Sequence, residues 1–109
     1  MGNNQFRKLA LSSIAQQELR QIKAYGDTHF GAMRSHKLIL RFQKIFELLQ
    51  NKQNYLGVRR DDLITGLLSY PVESYVIYFF RTEELIDVKR ILHGSQDVTE
   101  QIINTTLLH

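Results

Sequence analysis

The sequence has no cysteine, no tryptophan and a single proline in 109 residues. Without cysteine there is neither a disulfide framework nor a thiolate metal site, and the composition suits a reducing compartment. No apolar run approaches the roughly 20 residues that a membrane helix needs. The opening "MGNNQF" lacks the apolar core of a signal peptide, and its Met-Gly start fails as an acylation signal because Phe6 stands where Ser or Thr would be wanted. An untethered cytoplasmic protein is therefore expected. With one proline, 43% hydrophobic and 23% charged residues, the chain is excluded from the disordered class. Its length allows one compact domain, 1–109, with no room for a second domain or a deep enclosed pocket.

Acids are scarce in the first half. Residues 1–60 carry eleven Lys and Arg against Glu18, Asp27 and Glu47, a net of +8, whereas residues 61–109 carry three against eight acids, a net of −5. A solvated cationic helix face, a nucleic-acid surface or an acidic protein partner would each account for the basic half. No aromatic stacking ladder accompanies it, which disfavours direct nucleic-acid contact.

Hydrophobic period gives the organisation. "QFRKLAL" alternates, with Arg7, Leu9 and Leu11 on one side, and reads as a short strand. "LSSIAQQELRQIKAYG" changes period: Leu11, Ala15, Leu19 and Ile22 recur every three to four residues, Ser12 or Ser13 supplies the N-cap, and Ser13 with Gln16 has capping-box spacing. Gly26 and Asp27 are expected to stop this helix. A second helix follows from about Phe30 to Gln50, with Leu38, Phe42, Ile45 and Leu49 as its apolar stripe and Arg34, Lys37, Arg41 and Lys44 mostly off it. The polar "NKQNYLGVRRDD" ends the helical region, with Gly57 as a turn residue.

"LLSYPVES", "YVIYFFRT" and "LIDVKRILHG" then read as three strands. Their short connections, Glu73-Ser74 and "TEE", favour antiparallel neighbours. Pro71 cannot donate to a ladder, so its strand is an edge or is short on that side. The expected fold class is α+β: an N-terminal strand, a two-helix antiparallel hairpin, then three antiparallel strands forming a small sheet, with the hairpin on one face.

Signatures of chemistry are mostly lacking: there is no phosphate-binding Gly-rich loop, no metal-spaced His pair and no nucleophile elbow. His29, His36, His93 and His109 are far apart, and His109 is a chain end expected to be mobile. His93, beside Gly94 at a strand end, stands out because Arg90 on its own strand and Arg81 on the preceding one are expected near it. Such a group fits a metal-free nuclease, although a lone histidine hydrogen-bonded at a strand end is the commoner case. Tyr75, Tyr78, Phe79 and Phe80 read as sheet core before they read as a base-stacking surface. Phe46, Ile39 and Leu40 widen the second helix's stripe beyond what one small sheet should cover, which suggests a protein-binding groove.

Three stretches in order, "LSSIAQQELRQI" with Ala15, an acid, Leu19 and Ile22, "GLLSYPVESYVIYFF", and "VKRILHGSQDV" with His93-Gly94 and Asp97, are similar to the first helix, central hairpin and closing strand of one family. Over about Phe6 to Val98 the chain resembles the ParE branch of the ParE/RelE superfamily, the small toxins of bacterial type II toxin-antitoxin systems. The resemblance implies the same element order, no cofactor and no metal. It further implies a poison of DNA gyrase or, on the RelE side, a ribosome-dependent mRNA endoribonuclease, held inactive by a cognate acidic, ParD-like antitoxin. Many relatives carry Arg where this chain has Leu68 and Tyr where it has Phe79; losing both points to the gyrase branch and a non-enzymatic toxin. Arg81, Lys89, Arg90, His93 and Asp97 are then expected to contact the target, and Arg81, Arg90 and His93 would be the catalytic set of the nuclease alternative. The antitoxin is expected across both helices, on Ile22, Ile39, Phe42 and Phe46, pairing with Arg34, Lys37 and Arg41. Neither a membrane partner nor sequence-specific nucleic-acid binding is expected.

Overall fold

The computed structural model describes residues 4–102; the Met-Gly start and His109 lie outside them. The elements are β1 (Lys8–Leu11), α1 (Ser13–His29), α2 (Ala32–Gln50), β2 (Val58–Arg59), β3 (Leu68–Val72), β4 (Tyr75–Arg81) and β5 (Leu85–His93). They make one sheet in the order β1-β5-β4-β3-β2, with β1 parallel to β5 and the other pairs antiparallel. This is the expected α+β order, with two additions. The N-terminal strand completes the same sheet, and β2 lies in the stretch expected to be a polar connection. Both residues of β2 are exposed, so no burial pattern marked it in the sequence.

Ser12 caps α1: its Oγ accepts from the Ala15 N–H at 3.0 Å. The expected Ser13–Gln16 capping box does not form, because Gln16 instead donates from Nε2 to the Leu11 carbonyl. Gly26 and Asp27 do not stop the helix. Asp27 pairs with Lys23 one turn back, and Gly26 is buried where α1 meets α2, so close that an added Cβ would lie 2.9 Å from Ser35 Oγ. Glycine is there for contact between helices. The stop comes at Gly31, whose φ of 88° is costly for any side chain with a Cβ, and α2 accordingly begins at Ala32.

On the face under the helices, Leu68, Val72, Ile77, Phe79, Ile86, Val88 and Ile91 meet Ala15, Ile22, Phe42, Ile45, Phe46 and Leu49 in the main core. Phe46 belongs to that core, 6% exposed, so it does not widen an outer stripe. The opposite face is covered as well: Leu67, Tyr78 and Leu92 pack with Ile102, under Leu63, Ile64 and Val98. The cover comes from the connection after β2 and a helical turn over 98–102. Pro71 pairs with Val76 on β4, while β2 reaches only Leu68 and Ser69, so the proline faces no ladder on its outer side, as an edge position requires.

Strict alternation fails once in β5. Tyr78 pairs with Arg90 but Phe79 with Val88, so Lys89 is the extra residue of a bulge, and the phase of the strand reverses after it. Ile91 thereby joins Val88 on the helix face. Beneath the start of β1, Arg7 is 1% exposed and donates to the carbonyls of Thr82, Asn51 and Asn54. A guanidinium thus satisfies acceptors just beyond the C-terminal end of α2, where a cation also complements the helix dipole, and one just past β4.

Candidate functional site

The three residues offered as a nuclease set do not meet. Arg81 pairs with Ile86 near the start of β5 and His93 with Tyr75 at its end, which puts them at opposite ends of the sheet. Arg81 donates to the Leu56 carbonyl at 2.7 Å and packs over the Tyr55 ring. Burial, then repulsion from Arg7, hold its pKa below the usual arginine value. Phe79 is fully buried and Leu68 nearly so, so the positions where many relatives carry Tyr and Arg hold core side chains.

Arg90 is occupied structurally. β1 ends at Leu11 opposite Val88, leaving the remainder of β5 with an open edge, and α1 supplies the missing partner. Arg90 donates to Glu18 Oε2 from Nη2 at 2.7 Å and from Nε at 3.1 Å, while the other Glu18 oxygen accepts the Ile91 N–H at 2.8 Å. Arg90 also donates to the Gln101 carbonyl, tying the 98–102 turn to the sheet. One acid thereby neutralises the cation and completes a strand edge. Glu18 was visible in the sequence only as one of the three acids of the basic half; nothing there marked it as Arg90's partner.

His93 is exposed. Its Nδ1 lies 2.7 Å from Ser95 Oγ, its backbone N–H donates to Gln96 Oε1, and its ring meets Tyr75 edge-on with centroids 5.4 Å apart. Asp97 is exposed just ahead of the 98–102 turn, and Lys89 pairs with Asp87 at 3.1 Å. Of the five target-contact candidates, His93 and Asp97 therefore share one end of the sheet, Arg81 lies at the other, and Arg90 is buried between them.

That His93 end adjoins the tip of the helical hairpin. A groove of about 520 Å³ is lined by Phe30, Arg34, Lys37, Leu38, Arg41 and Tyr75, among others. Beyond it, Tyr25 stacks on His29 with centroids 3.9 Å apart, Phe30 meets Tyr25 edge-on, and the Arg34 guanidinium sits over Phe30. Tyr25, Phe30 and Met33 are each more than half exposed. The sequence did not show this cluster, because Tyr25 and Phe30 flank a helix end and follow no period; the turn at Gly31 gathers them.

Many of the cations are paired within the molecule. Lys23, Lys52, Arg59, Arg60, Lys89 and Arg90 each have a carboxylate within 3.2 Å. On α2, by contrast, Arg41 reaches only Glu73 at 3.8 Å, and among the described residues Arg34, Lys37 and Lys44 have no acidic partner. Spaced three, four and three apart, these four form one exposed stripe along the helix. Of the other residues expected to hold an antitoxin, Ile39 is half-buried beside a second, shallower groove with Leu11, Leu19, Arg20 and Lys23. Ile22, Phe42 and Phe46 are at most 7% exposed, a correction to the expected contact surface: the apolar stripe is used up by the sheet and the charged one is left outside. Among the described residues no cluster of acids and histidines is placed to hold a metal ion, and no helix is long and apolar enough to cross a membrane.

A family model for the ParE toxin of type II toxin-antitoxin system, parDE, matches residues 9–98. A chain of the solved chromosomal ParDE TA system from P. aeruginosa superposes with a TM-score of 0.68 at 17% identity, over 83% of this chain and 98% of that one. Among curated proteins none matches the sequence. The family model extends from β1 through the bulged β5 to the residue after Asp97, and on that match the chain belongs to the ParE toxin family of type II toxin-antitoxin systems.

Proposed function

We propose that this toxin acts by binding and not by cutting: it engages DNA gyrase and blocks its DNA cycle, and a cognate acidic antitoxin neutralises it. The observation that carries the non-enzymatic reading is the dispersal of the nuclease-like set of Arg81, Arg90 and His93. General acid-base cleavage needs the proton-transferring group within hydrogen-bond reach of the scissile phosphate, beside the cations that stabilise it. Arg81 and His93 stand at opposite ends of the sheet, and Arg90 is committed to Glu18. His93 and Asp97, with the adjoining hairpin tip, are then a docking surface for the target.

The antitoxin reading is supported by the stripe of Arg34, Lys37, Arg41 and Lys44, which an acidic segment would neutralise. Purified toxin should inhibit gyrase supercoiling in proportion to its amount, and induction in cells should stop thymidine incorporation before amino-acid incorporation. Supercoiling that persists at high molar excess removes the gyrase reading. Protein synthesis failing first, with toxicity abolished by His93→Ala, would instead make the chain a ribosome-dependent nuclease.

A further inference from the structure

We infer that the hairpin-tip end of the molecule is a sequence-independent contact for single-stranded nucleic acid. The inference goes beyond the gyrase reading and does not rest on it. Two features coincide there. One is a run of cations left without close acidic partners: Arg34, Lys37 and Arg41 lie along one face of α2 and line the groove. At 1.5 Å per residue they span about 10 Å, long enough for two or three phosphates of a stacked strand. The other is exposed aromatic surface directly beside them, with Tyr25 and Phe30 more than half exposed and Tyr25 stacked on His29.

Unpaired bases offer a π-face to exposed rings and a phosphate to each neighbouring cation, and this pairing of a basic track with aromatic platforms is how single strands are held without sequence preference. A duplex keeps its base faces stacked away and would use the cations alone. An acidic peptide would likewise use the cations and leave Tyr25 and Phe30 idle. Phe30 lines the groove and Tyr25 lies beyond it; each ring has one face taken within the molecule, by Arg34 and by His29, and is more than half exposed otherwise. The same cations are those proposed above to meet the antitoxin, so an antitoxin seated on α2 would exclude the nucleic acid.

The test uses the purified full-length chain and a fluorescently labelled oligothymidylate of about 12 nucleotides, long enough to span the site, followed by anisotropy between about 50 and 200 mM salt. Neutralising about three phosphates gives a log-log salt slope near −2 for a single strand. Tyr25→Ala with Phe30→Ala should weaken binding roughly ten-fold and leave that slope unchanged, since stacking is not a counterion effect. Arg34→Gln with Arg41→Gln should weaken binding and make the slope shallower by about 1.4. All four side chains are at the surface, and unchanged melting temperatures would show that the variants fold. The inference is overturned if the oligonucleotide does not bind at about 50 mM salt, if either double variant binds like the parent, or if duplex DNA of the same length binds as tightly. It is equally overturned if a polyglutamate peptide of matching charge binds as tightly and is insensitive to the aromatic substitutions, which would give the groove to an acidic protein alone.

Discussion

Arg90 and Arg34 carry the same charge in opposite settings. Arg90 lies under the open edge of β5 with its side chain 8% exposed and held by Glu18; Arg34 lies on α2 with a phenyl ring for company and no acid. The first kind of cation builds the fold and the second is presented outward. A charge taken out of water must be matched within the molecule, whereas a solvated one is free to be matched by a partner. The +8 of the first sixty residues is therefore not one feature. Lys23, Lys52, Arg59 and Arg60 are spent locally, Arg7 is absorbed by carbonyls, and α2 keeps most of the surplus, with Lys8 and Arg20 exposed elsewhere.

Breaking the buried side of this comparison should give the largest effect. Glu18→Ala takes the carboxylate from Arg90 and the acceptor from the Ile91 N–H together, and the loss expected for splitting a buried pair is about 3 kcal/mol, read by chemical denaturation. A comparable loss from Arg34→Ala would show that the two settings do not differ. Next comes the helix crossing that holds α2 in place: Gly26→Val forces a branched side chain against Ser35 and should cost about 2 kcal/mol. A melting temperature equal to the parent's would mean that the hairpin yields freely there.

Charge reversal at Arg34 and Arg41 together sharpens the comparison from the outside. Stability should stay within about 0.5 kcal/mol of the parent, as for other surface changes, while antitoxin affinity falls at least roughly ten-fold with a weaker salt dependence. Unchanged affinity and salt slope, measured by titration calorimetry, would place the antitoxin elsewhere. A smaller gain is expected at the β3–β4 turn, where Glu73 holds φ at 54°. Glu73→Gly relieves that strain and should raise stability by about 0.5 kcal/mol or more, even though it removes the long pair with Arg41.

The smallest effect is set by pH. The Asp61 carboxyl is held below its usual value of 3.8, first by the Gly66 N–H and then by Arg59. A depressed folded value means that its contribution is complete above 3.8 and is lost as pH falls through the folded value. Protection of the Gly66 amide against exchange, taken relative to its intrinsic rate at each pH, should therefore fall only below the usual carboxylate range. In Asp61→Asn that dependence should vanish.

How much was legible followed from where the information lay. The periods of Ala15, Leu19 and Ile22 and of Leu38, Phe42, Ile45 and Leu49 carried the two helices, because each is dictated by one buried face, and the β-branched runs after Leu67 carried three strands, covered on both faces. β2 was illegible since neither residue is buried, and the end of α1 was misplaced because glycine serves both turns and close helix contacts. Of the candidate site, Arg34, Lys37 and Arg41 were legible as an off-core stripe. Phe42 and Phe46 were not separable into core and surface, since a stripe's width does not say how much of it the sheet will cover. Arg81, Arg90 and His93 were assembled by strand adjacency, which cannot tell the two ends of a sheet apart.

What the sequence by itself determined was the element order, the fold class and the charge asymmetry, all of which depend on local period and composition. Tertiary structure alone decided which cations would be neutralised and which rings exposed. Glu18 finds Arg90 across 72 residues because β1 stops short of the end of β5, and Tyr25, Phe30 and Arg34 meet because Gly31 turns one helix back beside the other. Such encounters are fixed by where strands end and helices cross, and no property of a residue's neighbours in the chain encodes them.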